Sequence, residues 1–473
     1  MAAAVTRKWG AWVLSTEENE LICRVGPGTP MGTLMREYWI PALPSREFVG
    51  PDALPKRMRL LGENLVMFRD SLGRMGALEE SCPHRGASLY FGRNEEAGLR
   101  CPYHGWKFDV NGNCLETPTE PLENRNYKDR VKAKSYPLHE VNKMIWIYMG
   151  PRETPPPFPE FPINLIPEEN AGEPRIMMEE ANYLQNMEGD LDTCHLDWLH
   201  SRLSFDGPGL NPKWGNPGWW NPDPNKVTRL DVHETDYGVY YSGKRTLPDG
   251  TEWHRINQFI YPCHTMISGG DGVGLRSFVP LDDHHAMLIM HNGNLNGPYS
   301  EEANRTADEF FDGVGGFLPR TNDPASYYFT SANQRNDYGR DMDLQRNALY
   351  LGVYFVGNLQ DRAMTELMTD ASGSEPIYDR TREHLGQSDL MVIAVRHKLV
   401  EACEALRDKG EVPPNVDNVS LDRIRSAQVR LPEGADWVAA TEKYRDYDSG
   451  APTGADDIPF IRPTQPEPAD NPA

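Results

Sequence analysis

The stretch 81–106, SCPHRGASLYFGRNEEAGLRCPYHGW, decides how the rest of the chain is read. Cys82-Pro-His84 is answered by Cys101-Pro-Tyr-His104, so two thiols and two imidazoles sit on two loops, one of each kind per loop. Around them lie short apolar runs, LMREYWIPAL, KRMRLLGENLVMFRD and MGALEE, broken by Gly, Asn and Asp in the manner of strands and turns. The four side chains therefore belong on loops of a small β domain. Zinc accepts such a set tetrahedrally. Yet a chain of 473 residues buries its own cores without needing a structural metal.

Zinc fingers tend to separate a cysteine pair from a histidine pair, whereas here the types alternate. Alternation on two matched loops suits a binuclear iron–sulfur centre in which one iron takes both cysteines and the other both histidines. Gly86 and Gly105, directly after the ligand runs, fit tight turns under such a centre. The motifs CPHRGA and CPYHGW resemble the cluster loops of Rieske proteins of the ring-hydroxylating oxygenase kind. Respiratory Rieske proteins carry an extra cysteine on each loop that forms a disulfide clamp; Ala87 and Tyr103 stand in those places, which argues for an electron relay rather than a quinol oxidase.

Composition agrees. With 48 basic and 70 acidic side chains the formal charge is −22, which disfavours nucleic acid and anionic membrane surfaces and suits a basic protein partner. No stretch approaches the roughly 18 apolar residues of a membrane span, and the start resembles no signal peptide, so a cytoplasmic location is expected. Seven scattered cysteines are read as reduced thiols.

The Pro-rich PRETPPPFPEFP, 151–162, reads as a semi-rigid linker. Residues 1–155 are expected to form an N-terminal segment and the cluster domain, 156–449 a catalytic domain, and 450–473 a Pro-rich acidic tail. In the second unit MMEEANYLQNMEGDLDTCHLDWLH is helical in residue type. GVYYSGKRT, RINQFIYPCHTMIS, GLRSFVPL and HAMLIMH are strands, and DRAMTELM and SDLMVIAVRHKLVEACEALRDKG are helices. The fold class is α+β: an N-terminal all-β domain, then a C-terminal antiparallel sheet with helices, of helix-grip type. The stretch GPGLNPKWGNPGWWNPDPNK, 207–226, is expected to be a long loop, with Trp214, Trp219 and Trp220 available as an aromatic lid or as ordinary packing.

A cluster domain alone needs about a third of this length. NMEGDLDTCHLDWLHS supplies a second centre: Asp192 and His195 are three apart, as helical neighbours are. His195 and His200 are five apart, so a regular helix must break to aim both at one metal. Two imidazoles and a carboxylate on one face of iron leave positions open for dioxygen. Spacing alone also admits packed or solvated side chains. Its place about ninety residues after the cluster motif resembles the mononuclear iron motif of Rieske oxygenase α subunits of the phthalate-dioxygenase group. That resemblance implies His195 and His200 as iron ligands and Asp192 as a bridge from His195 to the cluster ligand His104 of a neighbouring subunit. Among 70 carboxylates the third ligand has no signal of its own. GNLQDRAMTEL resembles the C-terminal signature of the same group and implies Asp361. Glu188 is left without a role, and TDASGS lengthens the turn before Pro376.

The resemblance implies a terminal oxygenase with one [2Fe-2S] cluster and one mononuclear Fe(II). Electrons would come from NADH through a separate flavin and iron–sulfur reductase, since the chain has no dinucleotide fingerprint. Dioxygen and a small, often carboxylated aromatic are the substrates, with ring hydroxylation expected. O-demethylation at the same centres, or electron transfer without oxygenation, are the alternatives. A homotrimer or hexamer of trimers follows from electrons crossing between subunits. Lys244, Arg245 and Arg255 are candidate partners for a substrate carboxylate, each weighed against a solvated surface cation. His233, His254, His264, His284, His285 and His291 are read as packed strand residues. Trp106 is expected to shield His104.

Overall fold

The computed structural model describes residues 13–201, 203, 228–247, 249–268, 272–305, 316–354, 358–417 and 420–447. The Trp-rich 207–226 loop and the 450–473 tail lie outside the described residues. Three small antiparallel sheets build the first part. Strands Lys56–Leu60, Glu63–Arg69, Met75–Glu79 and Ser135–Tyr136 form one. Arg93–Glu95, Gly98–Arg100, Lys107–Phe108 and Cys114–Glu116 form a second, which carries the ligand loops. Trp39–Pro44, Met144–Tyr148 and Leu138–Val141 form the third. The hairpins turn at Gly, Asn and Asp, as their sequence signals require.

The second part is an eight-stranded antiparallel sheet. It runs from Arg175–Glu179 at one edge through Ala286–Gly293, Val273–Pro280, His264–Met266, Glu252–Ile260 and Gly238–Thr246 to Arg229–Thr235. Ala427–Leu431 also pairs with Glu252–Ile260. The long helix Leu390–Lys409 lies against Arg229–Thr235 and Gly238–Thr246 and stops at Gly410 in the left-handed conformation. Two leading helices, Thr16–Cys23 and Pro30–Arg36, pack on that long helix. Ser15 and Glu18 start the first with a capping box.

One buried apolar core runs continuously from the leading helices through the third small sheet into the large sheet. The Pro-rich 151–162 stretch is docked at this seam: Trp39 Nε1 donates to the Pro156 carbonyl at 3.0 Å, and Phe158 packs against Trp39, His139 and Trp146. The sequence spacer is thus a packed strap.

One element differs from expectation. The helical reading begins at Met177, but Arg175–Glu179 is an edge strand in register with Ala286–Gly293. All five residues are buried, and a short run apolar on both faces has no periodicity to separate strand from helix.

Burial pushes three histidines down, His264 and His291 to about 3 and His254 to about 4. They are neutral in the fold, while the unfolded chain takes up protons near pH 6.5. Their depressed values mean that stability is fully present above pH 6.5 and is lost as pH falls toward 4. The melting temperature is expected to drop over that window, and His264→Gln, beside Ser277, to reduce the drop; an unchanged pH slope in that variant counts against the assignment.

Candidate active site

The helix Tyr183–Leu191 is anchored before its first turn. Asn182 caps Leu184 and donates to the carbonyls of Cys23 and Asp283, both at 2.8 Å. It ends at Leu191, and Asp192 is already extended, with φ −91° and ψ 120°. Asp192 and His195 are therefore not helical neighbours, as their spacing suggested. A short turn, Cys194–Asp197, follows, and Asp192 Oδ1 accepts from Cys194 N at 2.6 Å. This is the break that the five-residue spacing demanded: His195 Nε2 and His200 Nε2 lie 3.2 Å apart.

Asp361 arrives on the helix Leu359–Thr365, with Oδ1 3.4 Å from His195 Nε2 and 3.2 Å from His200 Nε2. Two ligands about 2.0–2.2 Å from one ion and at right angles lie about 3 Å apart, so the three atoms fit one face of a metal. The other imidazole nitrogens are held from behind. His200 Nδ1 is 2.7 Å from Gln360 Oε1, and Gln360 Nε2 donates to the Val353 carbonyl at 2.6 Å. His195 Nδ1 is 3.5 Å from Asp192 Oδ2. Such partners fix the tautomer that turns both Nε2 lone pairs to the centre.

Electrostatics points the same way. Burial opposes charge on His195, but hydrogen bonds to Asp192 and Asp361 outweigh it and lift its pKa to about 10. Burial would raise Asp361, yet the two imidazoles hold it well below the usual carboxylate range. The site calls for a positive charge among these atoms, either a proton or a cation. Glu188, without a role in the sequence, clamps the helix from behind. It pairs with Arg396 at 2.6 Å and with Arg380 at 3.2 Å, and Arg396 also holds Glu383. The TDASGS turn is closed on Asp370, which accepts from the Ser374 and Glu375 amides. It delivers the Pro376 carbonyl to Asn182 N at 3.2 Å.

The three ligand atoms open on a cavity of about 160 Å³. Of the three candidate cations, Lys244 is paired with Glu252 and Arg245 with Asp197. Arg255 instead lines the cavity, donates to Thr193 Oγ1 at 2.8 Å, and forms no ion pair among the described residues. Residues the sequence did not single out here are Gln360, Thr193, Arg276 and Met290; the only signal for Gln360 was its place beside Asp361. None of the six remaining candidate histidines joins the metal group among the described residues.

At the other centre the loops are near-copies. Gly86 N donates to Cys82 O and Cys82 N to Ala87 O; Gly105 N donates to Cys101 O and Cys101 N to Trp106 O, all at 2.8 to 2.9 Å. Gly86 and Gly105 take φ of +74° and +76°, which side chains rarely adopt, so each loop turns where its glycine stands. Cys82 and Cys101 are buried and not disulfide-bonded, and burial pushes the Cys82 thiol up to about 11. The rings of His84 and His104 meet edge-on at 4.4 Å. Trp106 stacks on His84, at 4.2 Å and 13°, rather than on His104 as expected, and is held by Thr119. His84 Nδ1 is buried without a hydrogen-bond partner. Two thiols and two imidazoles facing one another, with such an orphaned nitrogen, fit the donor set of a Rieske [2Fe-2S] group.

Comparison with known proteins agrees. Residues 38–137 match the Rieske [2Fe-2S] domain family and 147–456 the LigXa C-terminal domain like family. The chain is 34% identical over 444 residues to the 3-chlorobenzoate-3,4-dioxygenase oxygenase subunit of Comamonas testosteroni, covering 90% of this chain and 98% of that one. It is 33% identical over 458 residues to the phthalate 4,5-dioxygenase oxygenase subunit of Pseudomonas putida, covering 95% and 98%. The solved structure of dicamba monooxygenase bound to 3,6-dichlorosalicylic acid shares the fold, with a TM-score of 0.51 at 16% identity over 80% of this chain and 99% of that one. The chain belongs to the Rieske non-haem iron oxygenases, as an α-type terminal oxygenase subunit. Its cofactors are a Rieske [2Fe-2S] cluster and a mononuclear iron.

Gln360→Leu removes the partner of His200 Nδ1 without touching the three converging atoms. Partners of this kind are worth about 10–100-fold in metal affinity. Fe(II) binding to the mononuclear site is expected to weaken by that factor while the visible absorbance of the cluster stays; an unchanged Fe(II) titration would show that Gln360 does not orient His200.

Proposed function

We propose that this oxygenase hydroxylates a carboxylated aromatic, with Cys82, His84, Cys101 and His104 holding the cluster and His195, His200 and Asp361 the mononuclear iron. The observation that carries the reading is the convergence of those last three side chains on a cavity also lined by Arg255. When bound, the cluster supplies single electrons, and the iron binds and reduces dioxygen. The chain's own residues do the rest. Gln360 and Asp192 fix the imidazole tautomers, Leu196, Ile267 and Met290 line the chamber and keep water out, and Arg255 receives the carboxylate.

Arg255 supports that role because it is buried on the cavity wall and forms no salt bridge among the described residues. Asp190 and Asp192 act on it only as nearby charges, so its planar guanidinium can take a carboxylate as a bidentate partner. Asp192 keeps about a third of its side chain exposed, which supports its reaching His104 of the partner subunit while it holds His195. Exposed apolar groups lie near both ends of that route: Trp198 against Tyr350 beside the metal turn, and Tyr103 and Phe91 by the cluster loops. They support a head-to-tail ring, most simply a trimer, since a heterologous contact whose rotation closes generates a ring. Electrons enter from a separate reductase. Among the described residues no helix is long and apolar enough to cross a membrane. The division at 155/156, with a tail from 450, is retained in this reading.

The purified protein is expected to hold about three irons and two acid-labile sulfides per chain, and benzoates or phthalates to stimulate its oxygen uptake with a reductase. His195→Ala should lose that uptake and one iron while keeping the cluster spectrum; loss of the cluster as well would contradict separate centres. Asp192→Asn should slow electron transfer to the mononuclear iron at unchanged iron content, and unchanged single-turnover transfer would remove the bridge. Hydrogen bonds to charged groups are worth about 1.5–3 kcal/mol. Arg255→Met is therefore expected to lower kcat/KM for the aromatic acid about 10–100-fold, mainly through KM, and a loss confined to kcat would argue against carboxylate binding.

A further inference from the structure

We propose that the seam between the Pro-rich strap and the large sheet holds a second small-molecule site, separate from the metal cavity, whose ligand is a compact organic cation: a protonated amine on a small apolar body. A cavity of about 250 Å³ opens there. Its walls come from four pieces of chain: Glu37 to Trp39, the strap from Pro156 to Phe161, Tyr261 and His264 of the large sheet, and a segment beyond the long helix that includes Asn415 and Asp417. Among the described residues none of this lining is shared with the metal cavity. A cavity of about 150 Å³ already takes benzene. The seam therefore has room for one ring and a short ammonium arm.

The walls are mostly rings: Tyr38, Trp39, Phe158, Phe161 and Tyr261. Their polar ends are satisfied elsewhere. Trp39 Nε1 donates to the Pro156 carbonyl, the Tyr38 hydroxyl to the Pro414 carbonyl at 2.8 Å, and the Tyr261 hydroxyl to the Lys398 carbonyl at 2.7 Å. What these rings offer a ligand is therefore carbon surface. Neighbouring rings stand steeply to one another, Trp39 to Phe158 at 73° and Phe161 to His264 at 65°, as in a cage rather than a stack. Ring faces attract a cation that comes within about 6 Å of their centres.

The charge on the lining has one sign. Glu37, Glu160 and Asp417 line the cavity, and no lysine or arginine does among the described residues. One guanidinium, that of Arg152, is shared by Glu37, at 3.0 Å, and Asp417. Glu160 forms no ion pair among the described residues, so three carboxylates meet one cation. At the inner end lies His264, 1% exposed, with Nδ1 2.8 Å from Ser277 Oγ and Nε2 without a partner among the described residues. Its burial keeps the ring neutral, with a pKa pushed down to about 3, so it adds no positive charge and leaves one ring nitrogen for the ligand's amine. An anion is repelled by such a lining, and an uncharged ring leaves its carboxylates unanswered.

Binding of benzylammonium and of benzyl alcohol, its uncharged counterpart, to the holoenzyme by titration calorimetry tests this. The wild-type protein is expected to bind benzylammonium at least about tenfold more tightly than the alcohol. Glu160 is exposed, so substitutions there spare the core. Glu160→Gln should weaken benzylammonium about threefold and Glu160→Lys about tenfold, with the affinity for benzyl alcohol unchanged in both. Failure of benzylammonium to bind, equal wild-type affinity for the two probes, or benzylammonium binding to Glu160→Lys as tightly as to the wild-type protein overturns the assignment.

Discussion

Two segments some hundred and sixty residues apart must bring three electron-rich atoms within 3.2 to 3.4 Å of one another. Lone pairs at that distance repel unless positive charge lies among them. The catalytic half of the molecule can be understood as the frame that withstands this repulsion. Asn182 ties the start of one segment to backbone carbonyls of two other elements. Gln360, next to Asp361 in the other segment, reaches across to His200 and is itself braced on Val353.

The strongest brace is ionic. Glu188 lies one turn before Asp192 and is ionised because Arg380 and Arg396 outweigh the cost of its burial. Removing one partner from such a pair leaves a buried charge and costs about 3–5 kcal/mol. Arg380 extends the network to Asn19 and the Cys23 sulfur on the first helix. The leading helices, far from the metal group in sequence, therefore bear on its geometry through a chain of charge-assisted contacts.

How much of this could be read in the sequence depended on how local each signal is. The cluster loops were legible because all four donors fall within twenty-three residues and alternate in type. His195 and His200 were legible as a pair, and the needed helix break was foreseen, although Asp192 lies beyond the helix end rather than on it. Asp361 carried no local signal and was reached through family resemblance alone. The role of Glu188, the orientation of Gln360 and the choice of Arg255 over Lys244 and Arg245 were not legible. Each depends on contacts between residues far apart in sequence, and neighbouring residues on a strand give no clue to which cation already has a partner. The edge strand Arg175–Glu179 was misread for a related reason, since burial on both faces erases the alternation that marks a strand.

The cluster loops have a core to themselves. Val66, Phe68, Leu78, Leu89, Leu99 and Phe108 pack beneath Cys82, Cys101 and Trp106 as a cluster separate from the core that unites the leading helices with the large sheet. Substitutions under the loops can therefore retune the driving force of electron delivery without reshaping the chamber that selects the substrate, and the reverse holds as well. A lineage with this layout can keep one redox partner while exploring new compounds, because the strands Glu63–Arg69 and Met75–Glu79 turn Val66, Phe68 and Leu78 toward the cluster loops and Leu65, Met67 and Ala77 toward the large core, so the two sides vary by separate residues.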